Sequence, residues 1–214
     1  GGTWAHPNGP AFNGVFNPST DPAGAQTYSI DGIACSASTA IVTVNLLQGP
    51  NAGANNSISV CSTQAPFNLT AQLAGTPDAN GTWTNAQGAA VASTFNPASQ
   101  GSGLFTYTVP GIGNCPDAQA TLNITVNVAP LAGTSGTLTL CASSAQESLF
   151  DGLSGTLDAG GTWTAPGGLP HGTVIDPAIH QAGIYTYTVT GIAPCASAIS
   201  TVTVIIHPVP QAGD

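Results

Sequence analysis

The sequence predicts an all-β protein built as tandem antiparallel β-sandwiches of about 80 residues each, and three observations carry that expectation. First, landmarks recur at a constant period: Trp83 to Trp163, Cys35 to Cys115, Cys115 to Cys195 and Cys61 to Cys141 are each 80 residues apart. Second, apolar residues alternate with Thr, Ser and Asn in short runs, the pattern of half-buried strands, and no segment carries a helical stripe of useful length. Third, those runs are separated by clusters of Gly, Pro, Asn and Asp at a spacing of about 8 to 12 residues.

The elements follow in order. Residues 1–48 read as the second half of a repeat. Gly2-Thr3-Trp4 is followed by a turn-rich stretch (Asn8-Gly9-Pro10, Asn13-Gly14, Asn17-Pro18), the strand around Tyr28, Cys35, and a strand whose Val42, Val44 and Leu46 share one face. Residues 49–128 read as a complete repeat. Ile58 to Cys61 is a first strand, Phe67, Leu69, Ala71 and Leu73 a second, Trp83 lies on a third, Val91 to Phe95 is a fourth, Leu104 to Val109 a fifth, and Leu122 to Val128 closes the unit. Residues 129–208 repeat that order through Leu138 to Cys141, Trp163, Tyr187 and Val202 to Ile206, and residues 209–214 match the start of another linker. About seven short strands, with a Trp between two cysteines, indicate an Ig-like sandwich. Trp4, Trp83 and Trp163, with Tyr28, Tyr107 and Tyr187, are the expected core aromatics.

The five cysteines admit two repeating pairings. Bridges within a repeat would join Cys61 to Cys115 and Cys141 to Cys195, leaving Cys35 to a partner outside the chain; bridges across repeats would join Cys35 to Cys61 and Cys115 to Cys141. The second choice would have to span a strand of roughly ten residues, about 33 Å, whereas a disulfide holds Cα atoms within about 7 Å. Bridges within the repeat are therefore expected. Each would close a loop of 54 residues (115 − 61), worth roughly 4 kcal/mol on the chain-entropy model. Regular bridges imply an oxidising compartment. Metal binding by cysteine is not expected, because Cys-X-X-Cys is absent and no His stands at zinc-ligand spacing.

Composition excludes several functions. There is no Lys or Arg among 214 residues, against nine Asp plus Glu, for a formal net charge of −9. Nucleic-acid binding lacks the cations that displace phosphate counterions, and lysine-dependent phosphate loops, arginine fingers and Schiff-base chemistry lack their residues. Carboxylates have no Lys or Arg to pair with, so the linkage between pH and folding is expected to be shallow. At 42% hydrophobic residues the chain has the apolar content of packed cores. No apolar run reaches the length of a membrane span, so no membrane insertion is expected. There is no signal-peptide pattern at Gly1 and the chain starts partway through a repeat, as expected of an excerpt from a longer chain.

The run from Cys141 through Gly160-Gly161-Thr162-Trp163, Gly183-Ile184-Tyr185-Thr186-Tyr187-Thr188-Val189 and Pro194-Cys195 to the closing Thr/Val strand resembles the Ig-like, PKD-like tandem repeats of very large bacterial surface proteins. Among them are gliding-motility-associated adhesins exported by type IX secretion. The resemblance spans the whole chain as a repeat pattern, and the first repeat departs from it by lacking its opening strands and one residue before Cys35. It implies an extracellular stalk or fibre at the cell surface, with adhesive roles and no catalysis.

No constellation of catalytic residues recurs. His6, His171, His180 and His207 fall at unrelated places in the repeat, and no Ser or Asp recurs beside them. Asp78 and Asp158 recur in the loop before the Trp strand, where Asp is a common turn residue. No catalytic residue, metal or cofactor is therefore expected. The function expected is a structural repeat region of an extracellular fibre, sheath or adhesin stalk, whose partners are copies of itself or neighbouring repeats of a longer chain. The alternative is a glycan-binding module of a secreted surface protein, which would need Trp4, Trp83 and Trp163 to face solvent rather than the core.

Overall fold

The structure is a computed structural model that describes residues 1–211; the end of the linker expected at 209–214 lies outside the described residues. The chain forms two compact units: Gly1–Asn51 with Val109–Ala118, and Ala52–Thr108 with the chain from Gln119 onward. It is all-β and Ig-like.

The first unit contains β1 (Thr3–Ala5), β2 (Ala11–Phe12), β3 (Gly24–Ile30) and β4 (Ser38–Val44) in one sheet of order β2-β1-β3-β4, with antiparallel neighbours.

In the second unit, the second repeat supplies β5 (Asn56–Cys61), β6 (Phe67–Asn68), β7 (Thr82–Asn85), β8 (Ala90–Val91), β9 (Thr94–Phe95), β10 (Gly103–Val109) and β11 (Ala118–Asn127). Five of these form a sheet of order β5-β11-β10-β7-β8, while β6 pairs with β9. The third repeat supplies β12 (Ala132–Thr134), β13 (Gly136–Cys141), β14 (Glu147–Ser148), β15 (Ser154–Leu157), β16 (Thr162–Thr164), β17 (Pro170–His171), β18 (Val174–Ile175), β19 (Gly183–Val189) and β20 (Ala198–His207). Its main sheet runs β13-β20-β19-β16-β17, with β12-β15 and β14-β18 as smaller pairs.

Alternation along β19 and β20 makes the third-repeat core. Tyr185, Tyr187 and Val189 point inward from β19 with Thr186 and Thr188 between them, and Ser200, Val202 and Val204 point inward from β20. Register places Tyr185 opposite Val202 and Tyr187 opposite Ser200, and Ala132, Leu140, Leu149, Trp163 and Ile175 complete the cluster. Each large apolar side chain buried this way contributes about 1.5–3 kcal/mol.

Three local expectations are corrected. The strand expected from Phe67 to Leu73 stops at Asn68 and winds into a 3-10 turn at Thr70–Gln72. Asn68 is the cause: its Oδ1 accepts the Thr70 and Ala71 N–H groups, giving the backbone a local alternative to a ladder. Leu69, just before that turn, and Leu73, just after it, are buried. The single strand expected from Val91 to Phe95 is two, because the chain leaves β7 after Val91 and joins β6 at Thr94, changing layers between them. Finally, β5 and β13 run parallel to β11 and β20. This last point decides the disulfides.

Candidate functional site: the repeat junction

The Gly-Thr-Trp motif acts as a clasp. Each Trp faces a Tyr across the sheet: Trp4 and Tyr28 at 5.1 Å between ring centroids, Trp83 and Tyr107 at 5.0 Å, Trp163 and Tyr187 at 5.1 Å. Such pairs add roughly 0.5–1.5 kcal/mol beyond their burial. The tyrosine hydroxyl then reaches back over the glycine. Gly2, Gly81 and Gly161 donate their N–H groups to Tyr28, Tyr107 and Tyr187 at 3.0, 2.9 and 3.1 Å. Tyr107 and Tyr187 donate in turn to the carbonyls of Asp78 and Asp158. A Cβ on any of the three glycines would run into the tyrosine ring, which is why the motif opens with glycine. The Asp158 carboxylate accepts the Leu131 N–H at 2.9 Å, so this aspartate pins the loop.

Trp83 and Trp163 are 3% and 2% exposed, and Tyr107 and Tyr187 are buried with them. Trp4 and Tyr28, also expected in a core, are only half-buried. The reason is that, among the described residues, the first unit forms a single sheet without the additional strand pairs found in the second unit. The two buried indoles differ in their partners. Trp83 Nε1 donates to Thr70 Oγ1 at 3.0 Å, whereas Phe150 stands at the equivalent position (70 + 80) and packs edge-on against Trp163, whose Nε1 has no hydrogen-bond partner.

The expected bridges within a repeat, Cys61 to Cys115 and Cys141 to Cys195, are not the ones formed. The disulfide joins Cys61 to Cys195, with Cα atoms 4.9 Å apart, and Cys35, Cys115 and Cys141 are free. Parallel pairing places Cys61 opposite Asn127, at the far end of β11, whereas Cys115 precedes the start of that ten-residue strand. About 33 Å of strand separates the two ends, far beyond the reach of a disulfide. The end of β11 instead meets the β19–β20 loop of the next repeat. Asn127 Nδ2 donates to Ala193 O at 2.7 Å, and Cys195 Sγ lies 3.3 Å from Asn127 O. The bond therefore ties the second repeat to the third.

The junction residues are built twice. Ser62 N–H donates to Asn127 O and Ala142 N–H donates to His207 O, both at 2.8 Å. Thr63 Oγ1 lies 3.4 Å from Cys61 Sγ, and Ser143 Oγ lies 3.3 Å from Cys141 Sγ. Those contacts from Ser143 hold the Cys141 thiol below its ordinary pKa. The loop cysteines match too: Cys115 N–H donates to Ile112 O and Cys195 N–H to Ile192 O.

Asn127 was not legible as a junction residue, and neither was the third periodic pairing, first-strand cysteine with the loop cysteine of the next repeat. A separation of 134 residues repeats as regularly as 54 does, but only parallel placement of β5 selects it. The structure also brings together His171 and His180, with rings 4.6 Å apart, although they hold unrelated positions in the repeat. Among the described residues no group of three or more His, Cys, Asp or Glu side chains could hold a metal ion, and no helix is long and apolar enough to cross a membrane.

No family model matches the sequence, and no curated relative does. Among solved structures, an I-band fragment of titin aligns at 12% identity over 97% of this chain and 88% of that one, with a TM-score of 0.50. The insect immune protein hemolin aligns at 10% identity over 96% of this chain and 62% of its own, with a TM-score of 0.44. Extracellular domains 3–5 of Drosophila OTK align at 12% identity over 92% and 74%, with a TM-score of 0.41. At such identity the titin likeness is one of fold: tandem Ig domains.

Proposed function

We propose that the chain is a structural repeat region of an extracellular fibre, sheath or adhesin stalk, in which repeats spanning 49–128 and 129–208 are coupled end to end and copies associate head-to-tail or laterally. The observation that supports this reading is the Cys61–Cys195 bond between successive repeats. A polypeptide linker alone lets neighbouring domains swing; a second covalent connection makes the junction stiff and lets force pass through two paths. A disulfide in this position also suits an oxidising, extracellular setting. The surface favours association. With no Lys and few carboxylates, contacts involve Thr, Ser, Asn and Ala, which lose little side-chain entropy on meeting another surface.

The glycan-binding alternative lacks its aromatic platform in the second unit, since Trp83 and Trp163 are packed inside. The proposal is tested by sedimentation velocity across a concentration series, with electron microscopy of the concentrated protein. Elongated assemblies growing with concentration are expected. A chain that stays monomeric at millimolar concentration, or whose association vanishes only on adding a polysaccharide, would overturn it.

A further inference from the structure

We propose that His180 is an acid-sensitive latch: its neutral imidazole closes the turn between β18 and β19, and proton uptake opens that turn in the third repeat alone.

The turn is built three times to one plan. Asn17-Pro18, Asn96-Pro97 and Asp176-Pro177 each open it. The side-chain oxygens of Asn17, Asn96 and Asp176 accept the N–H two residues on, from Ser19, Ala98 and Ala178 at 3.0, 3.1 and 3.0 Å. Their carbonyls accept the N–H four residues on, from Asp21, Gln100 and His180, each at 2.9 Å. The side chain of that last residue then turns back and accepts the N–H of the first. Asp21 Oδ2 does so at 2.7 Å, Gln100 Oε1 at 2.6 Å and His180 Nδ1 at 2.8 Å. What differs at this closing bond is the acceptor: a carboxylate, an amide oxygen and an imidazole nitrogen.

A backbone N–H can only donate, so His180 Nδ1 presents its lone pair to Asp176, and the ring proton of the neutral form sits on Nε2. Protonation puts a second donor on Nδ1, facing the Asp176 N–H at a distance that suits only a donor and an acceptor. The imidazolium must then turn away, and the Asp176 N–H loses its partner. Gln100 has no proton to take up near neutrality, and Asp21 keeps an acceptor oxygen whether or not it is ionised. The first two turns therefore stay closed where the third opens.

The groups around His180 are few, and none is a Lys or Arg. Its own turn supplies the Asp176 carboxylate, which accepts from Gln146 Nε2 at 3.1 Å and from the Ala178 N–H. His171 of β17 has its ring 4.6 Å away. Tyr185 of β19 lines the same open pocket and donates its hydroxyl to Gln181 O at 2.8 Å. Glu147 of β14, opposite Ile175, is exposed. Two of these groups can receive the displaced ring. One is the Asp176 carboxylate. The other is His171 Nε2: the Nδ1 of that ring donates to Gly172 O at 2.8 Å, which leaves Nε2 with a buried lone pair and no hydrogen-bond partner. Because the turn links β18, in the small pair with β14, to β19 of the main sheet, opening it loosens that link in the third repeat.

The test is amide hydrogen exchange, followed by NMR on the whole 15N-labelled chain near pH 7.5 and near pH 5, an interval in which histidine side chains titrate. The Asn96 amide holds the equivalent place in a turn whose acceptor does not titrate, so protection at Asp176 is read as a ratio to Asn96. The ratio should fall about fivefold on acidification, the loss of roughly one hydrogen bond, and return on neutralisation. Ring-nitrogen spectra should show His180 Nδ1 without a proton near pH 7.5. His180→Gln should protect Asp176 equally at both pH values, as Gln100 protects Asn96, while His171→Gln should keep the fall. Opening confined to one turn is local, so the melting midpoint of the whole chain moves little. A ratio that does not change with pH, a fall that survives in His180→Gln, or a proton found on Nδ1 near pH 7.5 would each refute the latch. The last of these is measured on the wild type and decides the matter even if a variant does not fold.

Discussion

Replacing Cys61 and Cys195 together by alanine removes the cross-link without orphaning either of its sulfurs as a new free thiol. The bond closes a sequence separation of 134 residues. On the chain-entropy model, restricting an unfolded loop of that length is worth about 5 kcal/mol at 25 °C, against roughly 4 for the loops of 54 residues expected from sequence. The second unit is in the size range where 1 kcal/mol moves the melting midpoint by about 2–4 °C, so C61A/C195A should melt about 10–20 °C below the wild type. Scanning calorimetry of the wild type, the double variant and the wild type in reductant measures this directly, with urea titration as a second probe. Reductant should bring the wild type to the midpoint of the double variant. C115A serves as the control and should leave the transition unchanged, because Cys115 carries no bond. A wild-type midpoint within a degree or two of the double variant, or a fall in C115A as large as in C61A/C195A, would refute the reasoning. Digestion should independently recover one peptide pair linked through Cys61 and Cys195; the digest needs Asp-N or chymotrypsin, since no Lys or Arg offers trypsin a site.

Removing the clasp hydroxyl in Tyr107→Phe or Tyr187→Phe strands a glycine N–H and an aspartate carbonyl, and each variant should lose about 1–3 kcal/mol in urea unfolding. Gly161→Ala drives a methyl into the Tyr187 ring and should cost about 1–3 kcal/mol or more by the same assay, while Gly160→Ala meets no atoms and is strained only by its positive φ. Tryptophan emission of the folded chain should be dominated by buried indoles and unchanged by soluble polysaccharides; a red-shifted, glycan-sensitive spectrum would contradict the packing of Trp83 and Trp163. Stability should vary by less than about 1 kcal/mol between pH 5 and 9. Asp176 is held below the ordinary carboxylate range by hydrogen bonds from Gln146 and the Ala178 N–H, so its contribution is present above that range and is lost as pH falls through the lowered value. Burial pushes Tyr185 above the ordinary tyrosine range, so its contribution is present below that range and is lost as pH rises through the raised value. Melting midpoints between pH 5 and 9 check the flat interval, and scans carried on into more acidic and more alkaline solution check the two ends.

Much of the fold could be read from residue order because the signals are local. Tyr-Thr-Tyr-Thr-Val alternation marks β19 wherever it is placed, and Gly161-Thr162-Trp163 is readable because a ring packs on the glycine next to it in space. Where a side chain competes for its own backbone, as Asn68 does, alternation misleads and a turn replaces a strand.

The sequence by itself determined that this protein is a tandem array of small all-β, Ig-like modules, because an 80-residue period and two-residue alternation are properties of order along the chain. Only the tertiary structure decided which sulfurs meet. Bonding Cys61 to Cys195 depends on the direction in which β5 lies against β11, and a strand's own residues read the same whether its neighbour runs parallel or antiparallel.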